Sequence, residues 1–434
     1  MEKSIIEVIS RPEKKDWKPL LTRPRFNSFK MENKVFNILE QVKARGNAAV
    51  RDFSLEFDKV FLEDCRVTKE EFDEAEKLLG EKAKKSIVTA IKNIERFHRN
   101  QIVHEKPIET SPGVKCWQKS VPIQKVGLYI PGGTAPLFST LLMLGIPAVI
   151  VGCERIVVCT PPNIDGKVHP AILYSAKIIG LDKVFKIGGV QAIAAMAYGT
   201  ETVPAVYKIF GPGNQYVTTA KQLVSREGIA IDMPAGPSEV AVVVDETCVP
   251  AFVASDLLSQ AEHGTDSQVM LITTKEEMVK PILEQLQIQL DTLPRKEIAE
   301  KSLQNSKIIV VNSVPEAVDM INEYAPEHLI LAIKDAAQFA NLVTNAGSVF
   351  IGNYSPESAG DYASGTNHTL PTNGYARIYG GVNLDSFLKK VTFQEISEYG
   401  LFNIGHAVME MAAIEDLEGH KRAVKLRLDS INEK

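Results

Sequence analysis

Residues 125–160 read KVGLYIPGGTAPLFSTLLMLGIPAVIVGCERIVVCT, and this stretch decides the fold class. Two short apolar runs, VGLYI and RIVVCT, flank a glycine turn and a long uncharged segment. Short apolar runs bounded by turn residues are typical of buried strands, whereas a longer apolar segment favours a helix. The stretch therefore predicts a strand–helix–strand unit, which is the building block of a parallel α/β sheet.

The uncharged part of this stretch, residues 135–153, approaches the length of a membrane span. Gly145 and Pro147 interrupt it, and two hydroxyl residues lie ahead of them. Proline removes a helical hydrogen bond and clashes with the preceding turn. We therefore interpret the segment as a buried helix that breaks at Ile146–Pro147, and we expect no membrane association.

The same alternation continues along the chain in two series. KVFKIG, VYKIFG and IAIDM extend the first series, with helical stretches between them, up to about Met233. A second series starts at Glu239 with VAVVVDE, VMLITT, KIIVVNS, HLILAI and GSVFIG. The pattern predicts two Rossmann-like parallel-sheet domains. No clear repeat of residues relates the two series, so an internal duplication stays open.

Helical segments flank the two series. Apolar residues three and four apart predict helices from Asn33 to about Gln101, and the chain from about Leu384 is predicted to be a helical C-terminal tail. The predicted organisation comprises an N-terminal arm at 1–30, a first α/β domain formed by 31–129 plus 238–383, a second α/β domain at 130–237, and the tail at 384–434.

Composition narrows the function classes. The 434 residues exceed the size of a single hydrophobic core, and a net charge of −5 without a Lys/Arg stripe disfavours nucleic acid as a partner. Charged residues break up every apolar run of the N-terminus, so the sequence does not predict a secretory signal. The five cysteines form no CxxC pair. Together these features favour a reducing, cytoplasmic location.

Three turns combine a strand end, glycines and a helix start: YIPGGTAP at 129–136, KIGGVQAIA at 186–194 and IFGPGNQYV at 209–217. Glycine lets the backbone approach a ligand closely, and a helix N-terminus offers free amide donors to an anion. None of the turns matches GxGxxG, and each one alone is more often a plain tight turn. All three in one domain favour a dinucleotide-sized ligand, although they do not specify which one.

Possible metal ligands are scattered. Gln260 and His263 lie three apart in LLSQAEHG, on a helix predicted to end at Gly264, while Asp361 and His368 lie in a Gly/Ser-rich stretch predicted to be a loop. His420 lies in the tail. One possible set is Gln260, His263, Asp361 and His420. It would supply two nitrogens and two oxygens, which suits zinc, or manganese or cobalt in its place. No spacing rule links these segments, and a helix cap, a surface loop and a solvated histidine are the plainer interpretations.

An acid–base pair is the remaining candidate. YAPEHLI contains Glu327 and His328 at the predicted start of a strand. Histidine titrates near neutral pH and is a natural general base, and a neighbouring Glu can activate water. The alternative is an edge-strand pair that faces solvent.

Nine segments in chain order resemble the histidinol dehydrogenase family: GLYIPGG, GGVQAIAA, GPGN, DMPAGPSE, LLSQAEHG, YAPEHL, SVFIG, SAGDYASGTNHTLPT and HKRAV. They extend from residue 127 to residue 424, and several are long and unusual. The length of the chain is also similar to that of the family.

The resemblance implies a role for each candidate residue. It implies zinc, one per subunit, bound by Gln260, His263, Asp361 and His420. It implies proton transfer by Glu327 and His328. It implies NAD contacts from Tyr129, Gln191 and Asn214, which makes 130–237 the NAD-binding domain. It implies a substrate site formed by the zinc ligands together with Ser238, His328, His368 and Glu415.

The resemblance further implies the reaction and the assembly. L-Histidinol would be oxidised to L-histidine through L-histidinal with reduction of two NAD, the last steps of histidine biosynthesis. The enzyme would be a homodimer in which the tail of one subunit, with Glu415 and His420, completes the site of the other.

Four alternatives stay open on the sequence. The chain could oxidise another small polar alcohol with the same fold and cofactors. Cys116 or Cys153 could be a nucleophile, as in aldehyde dehydrogenases, although no motif supports activation of either. A zinc hydrolase would leave the three glycine turns without a role and lacks HExxH. A non-catalytic binding protein would not need both Glu327 and His328.

Overall fold

The computed structural model describes residues 5–23, 28–103, 105–132, 136–234 and 236–433, with the backbone alone for 28–30. The chain divides into two compact units, Met1–Asn100 with Gln124–Phe387 and Gln101–Ile123 with Leu388–Lys434. Parts of the predicted arm, of the first glycine turn and of DMPAGPSE lie outside the described residues.

The strands, in chain order, are β1 (Glu7–Ser10), β2 (Ile108–Ser111), β3 (Val114–Pro122), β4 (Lys125–Tyr129), β5 (Arg155–Thr160), β6 (Val184–Lys186), β7 (Lys208–Phe210), β8 (Ala230–Ile231), β9 (Glu239–Val244), β10 (Gln268–Thr273), β11 (Lys307–Val310), β12 (His328–Ala332), β13 (Ser348–Ile351) and β14 (Leu388–Ile396).

The helices are α1 (Trp17–Leu20), α2 (Ser28–Arg45), α3 (Asn47–Phe53), α4 (Lys69–Leu78), α5 (Glu81–Arg99), α6 (Phe138–Val151), α7 (Pro170–Ile178), α8 (Gly189–Tyr198), α9 (Gln215–Ser225), α10 (Pro250–Ala261), α11 (Val279–Thr292), α12 (Lys296–Gln304), α13 (Val314–Tyr324), α14 (Ala336–Ala340), α15 (Glu357–Tyr362), α16 (Glu398–Ile414) and α17 (Glu418–Asn432). Short 3₁₀ turns and one π-helical turn at Ser54–Asp58 lie between them.

The first series of apolar runs forms a five-stranded parallel sheet with the order β6-β5-β4-β7-β8. Counted from β4, this is the 3-2-1-4-5 order of a dinucleotide-binding half. The order reverses between β4 and β7, and the carboxyl ends of these two strands carry the first and third glycine turns. In such sheets, the crevice at this switch point is where ligands bind.

The second series forms a six-stranded parallel sheet with the order β1-β11-β10-β9-β12-β13. Counted from β9, the order is again 3-2-1-4-5, with β1 added at one edge. The prediction of two Rossmann-like sheets is therefore confirmed. The N-terminal arm at 1–30 was predicted to be separate from the two α/β domains, but its residues Glu7–Ser10 pair with β11 and cover that edge strand.

The N-terminal helices pack on the five-stranded sheet. Val35 and Leu39 of α2 share a core with Ile193 and Val224, and Ile94 of α5 packs with residues of α6. Strand β4 belongs to this sheet as well. The sequence-based grouping of 31–129 with 238–383 differs from this arrangement because amphipathic helices do not indicate which sheet will bury their apolar face. The domain boundaries themselves stay a prediction.

Helix α6 continues through Pro147, so the predicted break at Ile146–Pro147 is wrong. Pro147 has no N–H to donate to the carbonyl of Met143, one turn earlier. The side-chain amide of Asn367 donates to that carbonyl at 2.6 Å. An outside donor thus satisfies the group that the proline leaves unpaired, and the helix stays intact.

The second unit contains an antiparallel sheet with the order β14-β3-β2 and the helix pair α16 and α17. Trp117 of β3 stacks on Phe393 of β14, with 5.4 Å between ring centroids. The tail was predicted to be helical from about Leu384, but Leu388–Ile396 is a strand. Val391 and Phe393 alternate there with Thr392 and Gln394, which is the two-residue period of a strand, but this short pattern did not enter the prediction.

Two further features concern the apolarity of the helices and the state of the cysteines. Among the described residues, no helix combines the length and the apolarity needed to cross a membrane. The five cysteines are all free thiols.

Candidate active site

A cavity of about 1130 Å³ lies in the first unit, between the two parallel sheets. Pro131, Gly132 and the GPGN turn at 211–214 line it from the carboxyl ends of β4 and β7. Ser238 and Glu327 line it from the amino ends of β9 and β12. The five-stranded sheet thus presents its switch point to the cavity, whereas the six-stranded sheet presents the opposite edge of its strands.

The side chains of Glu327 and His328 are both buried at the amino end of β12. The backbone N–H of Glu239 donates to Glu327 Oε2 at 2.9 Å, and His328 Nδ1 lies 3.2 Å from the carbonyl oxygen of Glu239. His328 Nε2 has no hydrogen-bond partner among the described residues, and it lies 3.6 Å from Asp361 Oδ1. With a proton on Nδ1, the ring keeps a free lone pair on Nε2, as a general base requires.

The protonation of this pair is strongly coupled. Burial raises the pKa of Glu327 to about 7, although His328 opposes the rise. Burial of the ring lowers the pKa of His328, but the carboxylates of Glu327 and Asp361 outweigh this and raise the pKa to about 10. A carboxyl near neutrality beside an imidazole is typical of groups that exchange protons with a ligand.

A third carboxyl joins this cluster. Glu357 is buried on α15, one helical turn before Asp361, so both project from the same face. Burial raises the pKa of Glu357 to about 8, and its Oε2 has no hydrogen-bond partner among the described residues. Glu357 was not among the predicted site residues because its stretch was predicted to be a loop, in which no helical spacing relates it to Asp361.

Gln260 and His263 lie at the end of α10. The helix ends at Ala261 and not at Gly264, so His263 lies in the turn that follows. The amide of Gln260 is buried. In the orientation that satisfies both of its ends, its nitrogen donates to Glu357 Oε1 at 2.8 Å, and its oxygen, 3.0 Å from the Glu239 nitrogen, shares the N–H of Glu239 with Glu327. His263 is more exposed and lines the cavity. The structure therefore brings Gln260 to the carboxyl cluster and places His263 at the cavity.

The cluster has the charge and the donors that a cation requires, but it is not a preformed metal site. Across the parts of the chain that the structure describes, no three His, Cys, Asp or Glu side chains converge as a metal site needs. Glu327, Glu357 and Asp361 nevertheless surround one histidine, and Glu357 Oε2 has no partner in the described parts of the chain. Carboxylate, amide and imidazole donors with excess negative charge fit a divalent cation.

His368 is held at both ring nitrogens. Nδ1 lies 2.9 Å from the carbonyl oxygen of Asp361, and Nε2 lies 3.0 Å from the hydroxyl of Thr140 on α6. The ring lines the cavity. His368 therefore ties α15 to α6 beside the carboxyl cluster, and its nitrogens already have partners.

The glycine turns meet at Tyr129. The Tyr129 hydroxyl accepts the N–H of Gly189 at 3.2 Å. Gly211 has φ +127°, and a Cβ at this position would collide with the carbonyl of Tyr129. Only glycine permits such a close approach of two backbones. Two of the three turns are thus held at the end of β4, and residues of the first and third line the cavity.

The other two predicted NAD contacts have partners of their own. Gln191 is fully buried, with Nε2 3.4 Å from Asp58 Oδ2 and with an Oε1 that has no partner among the described residues. Burial raises the pKa of Asp58 to about 6, against the opposing effect of Gln191. Asn214 caps α9, where its Oδ1 accepts from Tyr216 and Val217.

A buried ion pair holds the third turn. Lys221 Nζ lies 2.5 Å from Asp232 Oδ1, and both side chains are nearly inaccessible to solvent. Lys221 also donates to the carbonyl of Gly211, while Asp232 Oδ2 accepts the N–H of the same glycine. Both polar backbone groups of Gly211 are thus tied to one ion pair, which keeps the turn in a single conformation.

The remaining candidates lie apart from this cluster or outside the first unit. Ser238 is half-buried at the cavity, just before β9. Glu415 and His420 lie in the second unit, at the end of α16 and in α17, and both are exposed. Burial raises the pKa of Cys153 to about 12, and this thiol does not line the cavity. A protonated thiol outside the cavity does not fit a nucleophile.

Comparisons with known proteins give one consistent family. A model of the histidinol dehydrogenase family matches residues 21–428. The chain is 57% identical over 427 residues to histidinol dehydrogenase of Bacteroides thetaiotaomicron, covering 98% of this chain and 100% of the relative. It is 48% identical over 417 residues to that of Escherichia coli strain K12, covering 95% of each. The crystal structure of histidinol dehydrogenase from Elizabethkingia anophelis superposes with a TM-score of 0.97 at 51% identity, covering 100% of both chains.

Proposed function

The chain belongs to the histidinol dehydrogenase family and is an oxidoreductase, and on this premise we propose that it oxidises L-histidinol to L-histidine through L-histidinal. Each molecule of substrate reduces two NAD, and zinc is the metal at the carboxyl cluster. In the cell this is the end of histidine biosynthesis, which takes place in the cytoplasm.

One observation carries the proposal. Glu327 and His328 are buried side by side, both hydrogen-bonded to the backbone of Glu239, at a cavity that also contains the switch point of a dinucleotide-type sheet. A base and a cofactor crevice at one cavity are what the oxidation of an alcohol needs. A hydrolase would have no use for the glycine turns.

His328 Nε2 takes the hydroxyl proton of the alcohol in the first step, while a hydride leaves the carbon that carries this hydroxyl. Glu327 then takes a proton from the water that attacks the aldehyde carbon, and His328 returns its proton to the aldehyde oxygen, which forms the hydrated aldehyde and leaves His328 neutral. His328 takes the hydroxyl proton of this hydrate in the second oxidation. Because Glu327 has a pKa of about 7, it is partly ionised at neutral pH and can accept that proton.

When bound, NAD would supply the hydride acceptor, and zinc would supply a template that orients the substrate. Gln260, His263 and Asp361 would hold the metal. His328 must be neutral to accept a proton, and the pKa of its ring falls when the charge of Asp361 is shared with a bound cation. Tyr129, Gln191 and Asn214 would contact NAD.

The proposal includes a second copy of the chain. By resemblance to the family, Glu415 and His420 of that copy complete the substrate and zinc sites. Ser238 and His368 would contribute to the substrate pocket from the same chain as Glu327.

The first experiment is a count of NADH. Zinc-loaded protein receives excess NAD and limiting L-histidinol, and NADH is followed by its absorbance to completion. We expect two NADH per histidinol, and the His328→Asn variant serves as the control for adventitious reduction. One NADH per histidinol would contradict the second oxidation, and none from folded, zinc-bound protein would favour another small polar alcohol as the substrate.

A further inference from the structure

Glu239, the first residue of β9, connects the two members of the acid–base pair. Its N–H donates to Glu327 Oε2 at 2.9 Å, and its carbonyl oxygen lies 3.2 Å from His328 Nδ1. Adjacent residues at the start of a strand point in different directions. The relative placement of these two side chains therefore depends on where the backbone of Glu239 lies.

The side chain of Glu239 is itself clamped. Arg23 Nε lies 2.5 Å from Oε1, and the second arm of the guanidinium lies 2.8 Å from Oε2. The backbone N–H of Asn373 also donates to Oε1 at 2.8 Å. The side chain of Arg23 is only 12% exposed and that of Glu239 only 3% exposed. Such a two-pronged, buried contact fixes geometry as well as charge.

Arg23 also holds the chain that leads into β12. Its guanidinium donates to the carbonyls of Tyr324 and Ala325 at 2.9 and 3.2 Å, and it lies 4.0 Å from the centre of the Tyr324 ring. Ala325 has φ +55°, a left-handed conformation that is unfavourable for alanine. External contacts are needed to keep such a residue in place, and two residues later the chain reaches Glu327.

We propose that Arg23 is a positioning residue for the dehydrogenase reaction. From the N-terminal arm, it joins the start of β9 to the turn before β12, and so it fixes Glu327 and His328 relative to each other. Arg23 does not exchange protons with the substrate, and its effect passes through Glu239 and the Tyr324–Ala325 turn. The inference rests on the proposed function for its kinetic consequence, but not for its structural one.

The kinetic test compares Arg23→Met and Arg23→Lys with wild type, on zinc-loaded enzyme. We expect Arg23→Met to lower kcat about 10- to 100-fold while KM for NAD and for L-histidinol changes less than about twofold. Arg23→Lys keeps the charge but loses the two-pronged contact, so its kcat is expected to fall between that of wild type and that of Arg23→Met. Arg11→Met is the matched control, because Arg11 lies in the same arm and pairs with Glu276 at the surface.

A second measurement does not depend on activity. Hydrogen exchange of the amides from Tyr324 to His328 is expected to become about tenfold faster in Arg23→Met, with β5 unchanged as the internal control. Glu239→Gln weakens the same link without touching Arg23, and the double variant should lose no more than the worse single variant.

The outcomes distinguish the positioning role of Arg23 from the proposed dehydrogenase function. An unchanged kcat, or a loss confined to KM, overturns the positioning role, and so does unchanged exchange at Tyr324–His328. A wild type that makes no NADH from histidinol contradicts the proposed function, and the exchange measurement then decides the role of Arg23 alone. If Arg23→Met does not fold, Arg23→Lys and Glu239→Gln give the same comparison.

Discussion

Glu327 and His328 differ in the atoms that they leave available. His328 has one ring nitrogen on the Glu239 carbonyl and the other without a partner among the described residues, whereas Glu327 has one oxygen on the Glu239 N–H. In the proposed reaction, the imidazole is the base for a proton of the substrate, and the carboxyl is the base for water. Replacing His328 and replacing Glu327 should therefore slow different steps of the reaction.

Replacing each member of the pair tests this division. His328→Asn should slow oxidation of L-histidinol about 10²- to 10⁴-fold, because a general base contributes this much. Glu327→Gln should slow mainly the oxidation of L-histidinal, because hydration precedes that step. Single-turnover kinetics from each substrate measure the two steps. Equal losses on both substrates in both variants would contradict separate roles.

Asp256 on α10 offers a test at the level of one titrating group. Burial raises the pKa of its carboxyl to about 7. Between about pH 4 and pH 7 the folded chain keeps a proton that the unfolded chain releases. The charge therefore costs stability as the pH rises through this window, and the cost is complete above pH 7.

Asp256→Asn should accordingly stabilise the fold more at pH 8 than at pH 5, by a difference of about 1–2 kcal/mol. Denaturant unfolding at the two pH values measures the difference. Asp291→Asn is the matched control, since Lys296 lowers the pKa of the Asp291 carboxyl and the same substitution should give no gain there. An equal gain for Asp256→Asn at both pH values would contradict the prediction.

Helix α6 shows how one element depends on another. The proline inside it leaves the Met143 carbonyl without its helical donor, and Asn367 supplies that donor from the segment that carries His368. The adjacent His368 contacts Thr140 of the same helix. Two consecutive residues thus dock the segment onto α6, so the integrity of the helix and the placement of a predicted substrate contact are linked.

A double-mutant cycle measures this dependence. Asn367→Ala should lower the free energy of unfolding by about 1–3 kcal/mol, because it leaves a buried carbonyl unpaired. In a Pro147→Ala background, the backbone at this position regains an N–H that can donate to the Met143 carbonyl, so Asn367→Ala should cost about 1 kcal/mol less. Equal costs in the two backgrounds would show that the amide of Asn367 does not compensate for the proline.

At the scale of the whole molecule, the two parallel sheets share one strand order but use it differently. The five-stranded sheet faces the cavity with the carboxyl ends of β4 and β7, and the six-stranded sheet faces it with the amino ends of β9 and β12. The first edge offers glycine turns, which are the proposed site of the dinucleotide. The second edge offers side chains that precede or begin strands, and the proposed acid–base residues are among them.

The proposed sharing of a site between two copies predicts complementation. His263→Ala and His420→Ala should each abolish activity and zinc retention. In a randomly mixed population of the two variants, half of the dimers contain one site with both histidines, so activity should recover to about one quarter of wild type. Co-expression with two affinity tags and an NADH assay measure the recovery. No recovery in isolated mixed dimers would contradict a shared site.

The sequence by itself determined the family and the strands of both parallel sheets except β1, which lies in the predicted arm. Buried strands are continuous apolar runs, so RIVVCT, VAVVVDE and HLILAI can be recognised as strands from their own residues. Adjacent Glu327 and His328 could likewise be singled out from one segment. The strands of the second unit were missed because most of their residues are half-buried or exposed, which leaves a weaker alternation and no apolar run.

The tertiary structure alone decided which of these segments meet. Arg23, Glu239 and Glu357 are far apart in sequence, and no local pattern distinguishes them from other charged residues. Only the folded chain buries them, and their buried charges then require partners. The continuity of α6 through Pro147 likewise depended on Asn367, more than 200 residues later. Local patterns record how a segment buries its own surface, whereas the pairing of buried polar groups depends on the neighbours that folding brings to them.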